Sequence, residues 1–117
     1  MSTFLTFGRD TQGYNAFAPA RSKDIYKADL ATGVAASIIV PSNHEVWIVV
    51  FSIQPGTDVW VDLSGATAAG PGSGAFVSTT SELNPGSRIV LAGDTISCIT
   101  TSAASEVSVA LYAVSYP

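Results

Sequence analysis

The residues of this chain that could carry chemistry are few and poorly spaced for it. His44 is the only histidine, beside Ser42 and Asn43 at the mouth of a turn. A catalytic triad needs its base held between a nucleophile and an orienting carboxylate, and no Gly-x-Ser-x-Gly elbow accompanies this histidine. His44 therefore reads as a turn residue. Asp58 and Asp62 stand four positions apart on one strand face, about 13 Å at the strand rise, too far for the carboxylate pair of a glycosidase. No Asp-x-Asp-x-Asp calcium loop is present, and no Lys-Ser or Lys-Thr pair follows the glycines between Gly65 and Gly74 to make a phosphate cradle. Cys98 is alone, which excludes an internal disulfide and a cysteine-based zinc site. Set between Ile96 and Thr100 in the alternation, it reads as a small buried hydrophobe. The expectation is a protein with no catalytic, metal or cofactor site.

One arrangement could bind rather than react. From Asp58 to Leu63 the chain alternates, Val59, Val61 and Leu63 turning to a core while Asp58, Trp60 and Asp62 turn away from it. An aromatic plate between carboxylates resembles, in residue types, the sugar-facing surface of carbohydrate-binding sandwiches. The competing expectation is that the N-terminal segment or a neighbouring subunit covers Trp60, because large aromatics are seldom left open to water. Trp47 belongs to the core.

The elements that must position these side chains are strands. Ile25 to Leu30 reads as an edge strand, with Tyr26, Ala28 and Leu30 on one face and Lys27 and Asp29 on the other. Val34 to Val40 follows a Thr32-Gly33 turn. Glu45 to Ile53 is apolar on both faces for most of its length, which places it centrally or at an interface. Gln54-Pro55-Gly56-Thr57 is a strong turn, and it predicts a hairpin between this strand and Asp58 to Leu63. Residues 64–81 carry no charge and read as a long packed loop with a short strand at Ala75 to Thr79. Glu82 to Gly86 is another turn, and strands follow at Arg88 to Leu91, Thr95 to Thr101 and Glu106 to Tyr116. Short strands at this spacing predict an all-β, antiparallel sandwich of jelly-roll type. Residues 1–24 are expected to form an extended N-terminal arm and residues 25–117 the sandwich domain.

Charge narrows what such a fold is for. Only 12% of the 117 residues are charged, against about 25% in typical soluble domains, so exterior positions fall to Ser, Thr, Ala and Gly, as on a surface meant to be covered. Residues 1–27 hold Arg9, Arg21, Lys23 and Lys27 against Asp10 and Asp24, a balance of +2; the remainder holds seven acids against Arg88, a balance of -6. An acidic body disfavours nucleic acid, whereas a mildly basic leading segment can dock on an acidic neighbour. No signal-peptide pattern opens the chain, and the apolar run Val46 to Phe51 is far short of a membrane span. Synthesis in the cytoplasm without secretion or membrane insertion is expected.

The Pro41-Ser42-Asn43 turn, the strands Val46 to Phe51 and Asp58 to Asp62, the Ser81 to Pro85 turn and the closing strands Asp94 to Ser97 and Val107 to Tyr112 together resemble small β-sandwich decoration, or cement, proteins of tailed-bacteriophage heads. The resemblance spans residues 38–113. It implies a non-enzymatic virion protein that sits on the capsid exterior as a dimer or trimer, the trimer being favoured, and bridges subunits of the major capsid protein. The leading segment, with Phe4, Phe7, Arg9, Tyr14, Phe17, Arg21 and Lys23, is the candidate contact arm. A carbohydrate-binding or host-recognition module using Asp58, Trp60 and Asp62 is the alternative, as is a tail or fibre component. Val46 to Ile53, residues 64–81 and Thr95 to Ser105 are the uncharged stretches expected to be covered by other subunits.

Overall fold

The computed structural model describes residues 2–4, 7–9, 15–19, 21–70, 72 and 74–114, with the backbone alone at 7–9 and 15–19. Ten strands and no helix lie among them: β1 (Phe7–Arg9), β2 (Asn15–Pro19), β3 (Asp24–Leu30), β4 (Ala36–Ile39), β5 (Val46–Ile53), β6 (Val59–Asp62), β7 (Ser81–Leu83), β8 (Ser87–Leu91), β9 (Thr95–Thr100) and β10 (Ser105–Ala113). β1 and β2 form a separate ribbon. The other eight make two antiparallel sheets, ordered β3-β10-β5-β8 and β4-β9-β6-β7.

That order has a simple origin. β6 pairs with β7, β5 with β8, β4 with β9 and β3 with β10, so the chain is a nested set of antiparallel pairs rolled over into two layers. This is a jelly roll, with the sandwich predicted from strand spacing as its body.

The core forms where the inward positions of both sheets meet. Trp47, Val49, Phe51, Val90, Val107, Val109 and Leu111 come from the first sheet, and Val59, Val61, Ile96 and Cys98 from the second. Each large apolar side chain buried in this way contributes about 1.5–3 kcal/mol. The Trp47 indole N–H also donates to the carbonyl of His44 at 3.1 Å, so its one polar atom is satisfied.

Three expectations are corrected. The first is the predicted hairpin. The turn is there, with Gly56 at φ 79° and Thr57 N–H donating to Gln54 C=O at 3.3 Å. The two strands it joins nevertheless enter different sheets, because β10 and β8 already occupy both edges of β5 and leave β6 no partner there. The second is the strand at Ala75 to Thr79, which does not form. The strand in this region is β7, inside the predicted turn, paired with β6. The third concerns Thr95 to Thr100. Its lack of charge reflects burial within its own chain, since β9 lies between β4 and β6 with Ile96, Ser97, Cys98 and Thr100 all buried.

Candidate functional site

The Asp58-Trp60-Asp62 patch does not hold together as a surface. Asp58 is exposed and Trp60 half-buried, but Asp62 is only 1% exposed. The register explains why. Ser81, Asp62, Ser97 and Ser37 stand in one row across the outer side of the second sheet, and Ser64, Ala68, Ala69 and Thr80 fold back onto that row. Asp62 Oδ1 accepts from Ser64 N–H at 2.8 Å and Ser64 Oγ at 2.6 Å, and its Oδ2 accepts from Thr80 Oγ at 2.6 Å. Ala68 N–H donates to Ser97 Oγ at 2.9 Å, and Ala68 is itself buried. Burial pushes the Asp62 carboxyl up, but the hydrogen bonds from Ser64, Thr80 and Ser81 outweigh it and hold the group below its ordinary range. Asp62 is thus an anchor for the loop. Trp60 lies in the neighbouring row, between Ile99 and Leu83, an apolar setting rather than a ring of acceptors.

The outer side of the first sheet is the more unusual surface. With Trp47, Val49 and Phe51 facing the core, β5 turns Val46, Ile48 and Val50 outward. Leu91 stands opposite Val46, Ile89 and Tyr112 flank Ile48, and Ala110 joins Val50 to Ile25. Ile89 is 60% exposed and Leu91 53%, with Ile25 and Val50 also open to solvent. Lys27, Asp29 and Glu106 occupy the other end of this same outer side, and an apolar field of this size on an outer sheet face is the kind that marks contact sites. Val46 to Ile53 signalled it in the sequence through its two apolar faces. Ile89 and Leu91 were missed, although their alternation with Val90 carries the same signal.

The leading segment is held at both feet. Ala113 N–H donates to Thr3 C=O at 2.7 Å, Lys23 N–H donates to Thr3 Oγ at 2.8 Å, and the buried Ser22 hydroxyl donates to Leu111 C=O. Phe4 meets the His44 ring edge-on at 4.6 Å, and His44 in turn meets Trp47 at 5.7 Å. His44 thus sits between two aromatic rings of its own chain. Arg21 and Lys23 are exposed. Phe7, Arg9 and Phe17 lie on the β1/β2 ribbon, described only by its backbone, and Tyr14 lies outside the described residues, as do Ser115 and Tyr116 of the predicted last strand.

Cys98 is buried, which pushes its thiol up to about 11, so little thiolate exists at neutral pH. Among the described residues, no three His, Cys, Asp or Glu side chains gather as a metal-binding set, and no helix is long and apolar enough to cross a membrane. No protein family, curated protein or solved structure matches this chain.

Proposed function

We propose that this chain is a non-enzymatic virion structural protein, a head-decoration protein that oligomerises, as a trimer, on the exterior of a bacteriophage capsid and stabilises it by bridging subunits of the major capsid protein. The observation that carries this reading is the apolar outer face of the first sheet, Val46, Ile48, Val50, Ile89 and Leu91. A decoration protein must bury surface twice, against its own copies and against the shell, and each standard interface takes about 800 Å² per partner. The named residues carry no charge, which lowers the desolvation cost of doing so. Jelly rolls serve capsids and lectins alike, so the fold alone does not choose between them. The choice rests on the apolar face, and on the loss of Asp62 from the patch a glycan would have used.

The test is attachment. Purified heads lacking the protein are mixed with wild type and with a Leu91→Lys variant, then pelleted and imaged by electron microscopy. Wild type should coat the heads and Leu91→Lys should not. Wild-type protein that leaves heads bare, or that binds a glycan array through Trp60, would overturn the reading.

A further inference from the structure

The connection between β6 and β7 is fastened at its base and free at its tip. Ser64 and Thr80 close its two ends on Asp62, Ala68 N–H donates to Ser97 Oγ at 2.9 Å, and Ala69 N–H donates to Ser81 Oγ at 3.4 Å. Gly70 lies against Thr101, with no space for a Cβ between them. Beyond these fastenings the backbone turns at Gly74, whose φ of 137° favours glycine. Val77 Cγ1 comes back to 3.8 Å from where a Gly74 Cβ would stand, while Phe76 is left 108% exposed, as open as in an isolated peptide. Val77 is exposed beside it, and residues 64–81 carry no charge. An apolar ring held out from a fastened base loses less freedom on binding than one on a free tail.

Three observations narrow what this tip meets. Its roots lie on the outer side of the second sheet, whereas Ile89 and Leu91 lie on the outer side of the first, so the two apolar features are on opposite sides of the sandwich. A contact that set the tip of one copy on the apolar face of the next would be head-to-tail between opposite sides, which stacks copies into an open filament instead of closing a trimer. No Lys or Arg stands in residues 64–81, and the chain from residue 28 onward carries a balance of -6, which gives an anionic lipid surface no hold on the tip. A buried phenylalanine removes about 150–250 Å² from water, well short of the about 800 Å² per partner of a standard interface. One tip therefore does not hold two free molecules together. Several tips carried by one oligomer do hold to a repeating surface, because each contact after the first forms at high effective concentration.

We propose that Phe76, backed by Val77, is the anchor by which each copy grips the capsid shell, entering an uncharged apolar pocket of a shell subunit. This rests on the reading of the protein as a head-decoration protein and divides its two surfaces. The apolar face of the first sheet joins copies, and the loop tip on the other side joins the oligomer to the shell.

Heads lacking the protein test it with the full chain. Phe76→Ser should keep the wild-type mass by light scattering and the wild-type urea midpoint, because the ring is fully exposed in the single chain. Its affinity for heads should fall at least tenfold, the effect of one phenyl ring left in water. Phe76→Leu, which keeps an apolar side chain, should coat heads more strongly than Phe76→Ser. If wild type coats heads and Phe76→Ser coats them equally, the anchor assignment is wrong while the decoration role stands. A lower mass for Phe76→Ser would put the tip between copies, and wild-type binding to phosphatidylcholine-phosphatidylserine vesicles that Phe76→Ser loses would make it a lipid anchor; either result overturns the assignment. Wild type that leaves heads bare removes the decoration role, and the assignment with it.

Discussion

The Thr80 hydroxyl donates a 2.6 Å hydrogen bond to the carboxylate of Asp62, eighteen positions earlier in the chain, and so pins the far end of the loop 64–80 to the strand from which the loop departs. Ser64 holds the near end on the other oxygen of the same group. One buried carboxylate thereby spans both ends of an uncharged segment.

Replacing that carboxylate should release the loop. Hydrogen bonds to a charged group contribute about 1.5–3 kcal/mol, so Asp62→Ala is expected to lower stability to urea by about that amount and to open residues 64–80 to protease. Limited proteolysis with mass mapping checks the second outcome. Unchanged cleavage would remove Asp62 as the anchor.

The same group sets an acid limit. Its folded-state pKa lies below the ordinary 3.8, because its hydrogen bonds outweigh burial. The stabilisation is therefore complete above the unfolded-state value and is lost as pH falls through the lower, folded-state one. Stability measured by urea unfolding should fall as pH drops below about 4, and the Asp62→Asn variant should show a flatter slope in that window.

Close approach fixes the loop at a second point. A Cβ on Gly70 would lie 2.7 Å from Thr101 Cγ2. Gly70→Ala is expected to cost about 1–2 kcal/mol through overpacking, and Thr101→Ser, which removes the methyl, should restore most of it. Additive effects in this double-mutant cycle would show that the two residues do not touch.

The turn into β8 depends on one asparagine. Asn84 has φ 45°, its Oδ1 accepts from Val59 N–H at 2.7 Å, and its Nδ2 donates to Thr57 C=O at 3.2 Å. Alanine there loses both bonds and keeps the strained backbone, whereas glycine loses only the bonds. Thermal unfolding should rank wild type above Asn84→Gly and Asn84→Ala last, with about 1–3 kcal/mol across the series.

Much of the sandwich was legible because its signals are local. The alternation of Val59 and Val61, the burial of Trp47 and the edge character of Lys27 and Asp29 all follow from a two-residue period. Pairing was less legible. The Gln54 to Thr57 turn has hairpin chemistry, yet whether its strands pair depends on β8 and β10, which are distant in sequence. Asp62 was misplaced for a similar reason, since alternation does put it on the outer side but cannot show that Ser64 and Thr80 return to cover it. The cleft between β3 and β4, lined by Ala28, Ala36 and Ile38, could not be read at all, because it depends on which two edges end up facing each other.

The apolar face yields the sharpest surface prediction. Ile89 and Leu91 are exposed in the single chain, so Ile89→Lys should alter its folding stability by no more than about 0.5 kcal/mol. If the face is an assembly surface, the same change should still disperse the oligomer and abolish attachment to heads. A variant that unfolds, or one that assembles normally, would contradict this.

Solution mass tests the central claim most directly. Multi-angle light scattering of the wild-type chain at micromolar concentration should give a multiple of the 12.0 kDa chain mass, with three copies expected. A single species of 12.0 kDa would contradict the account of this protein as a self-assembling structural component.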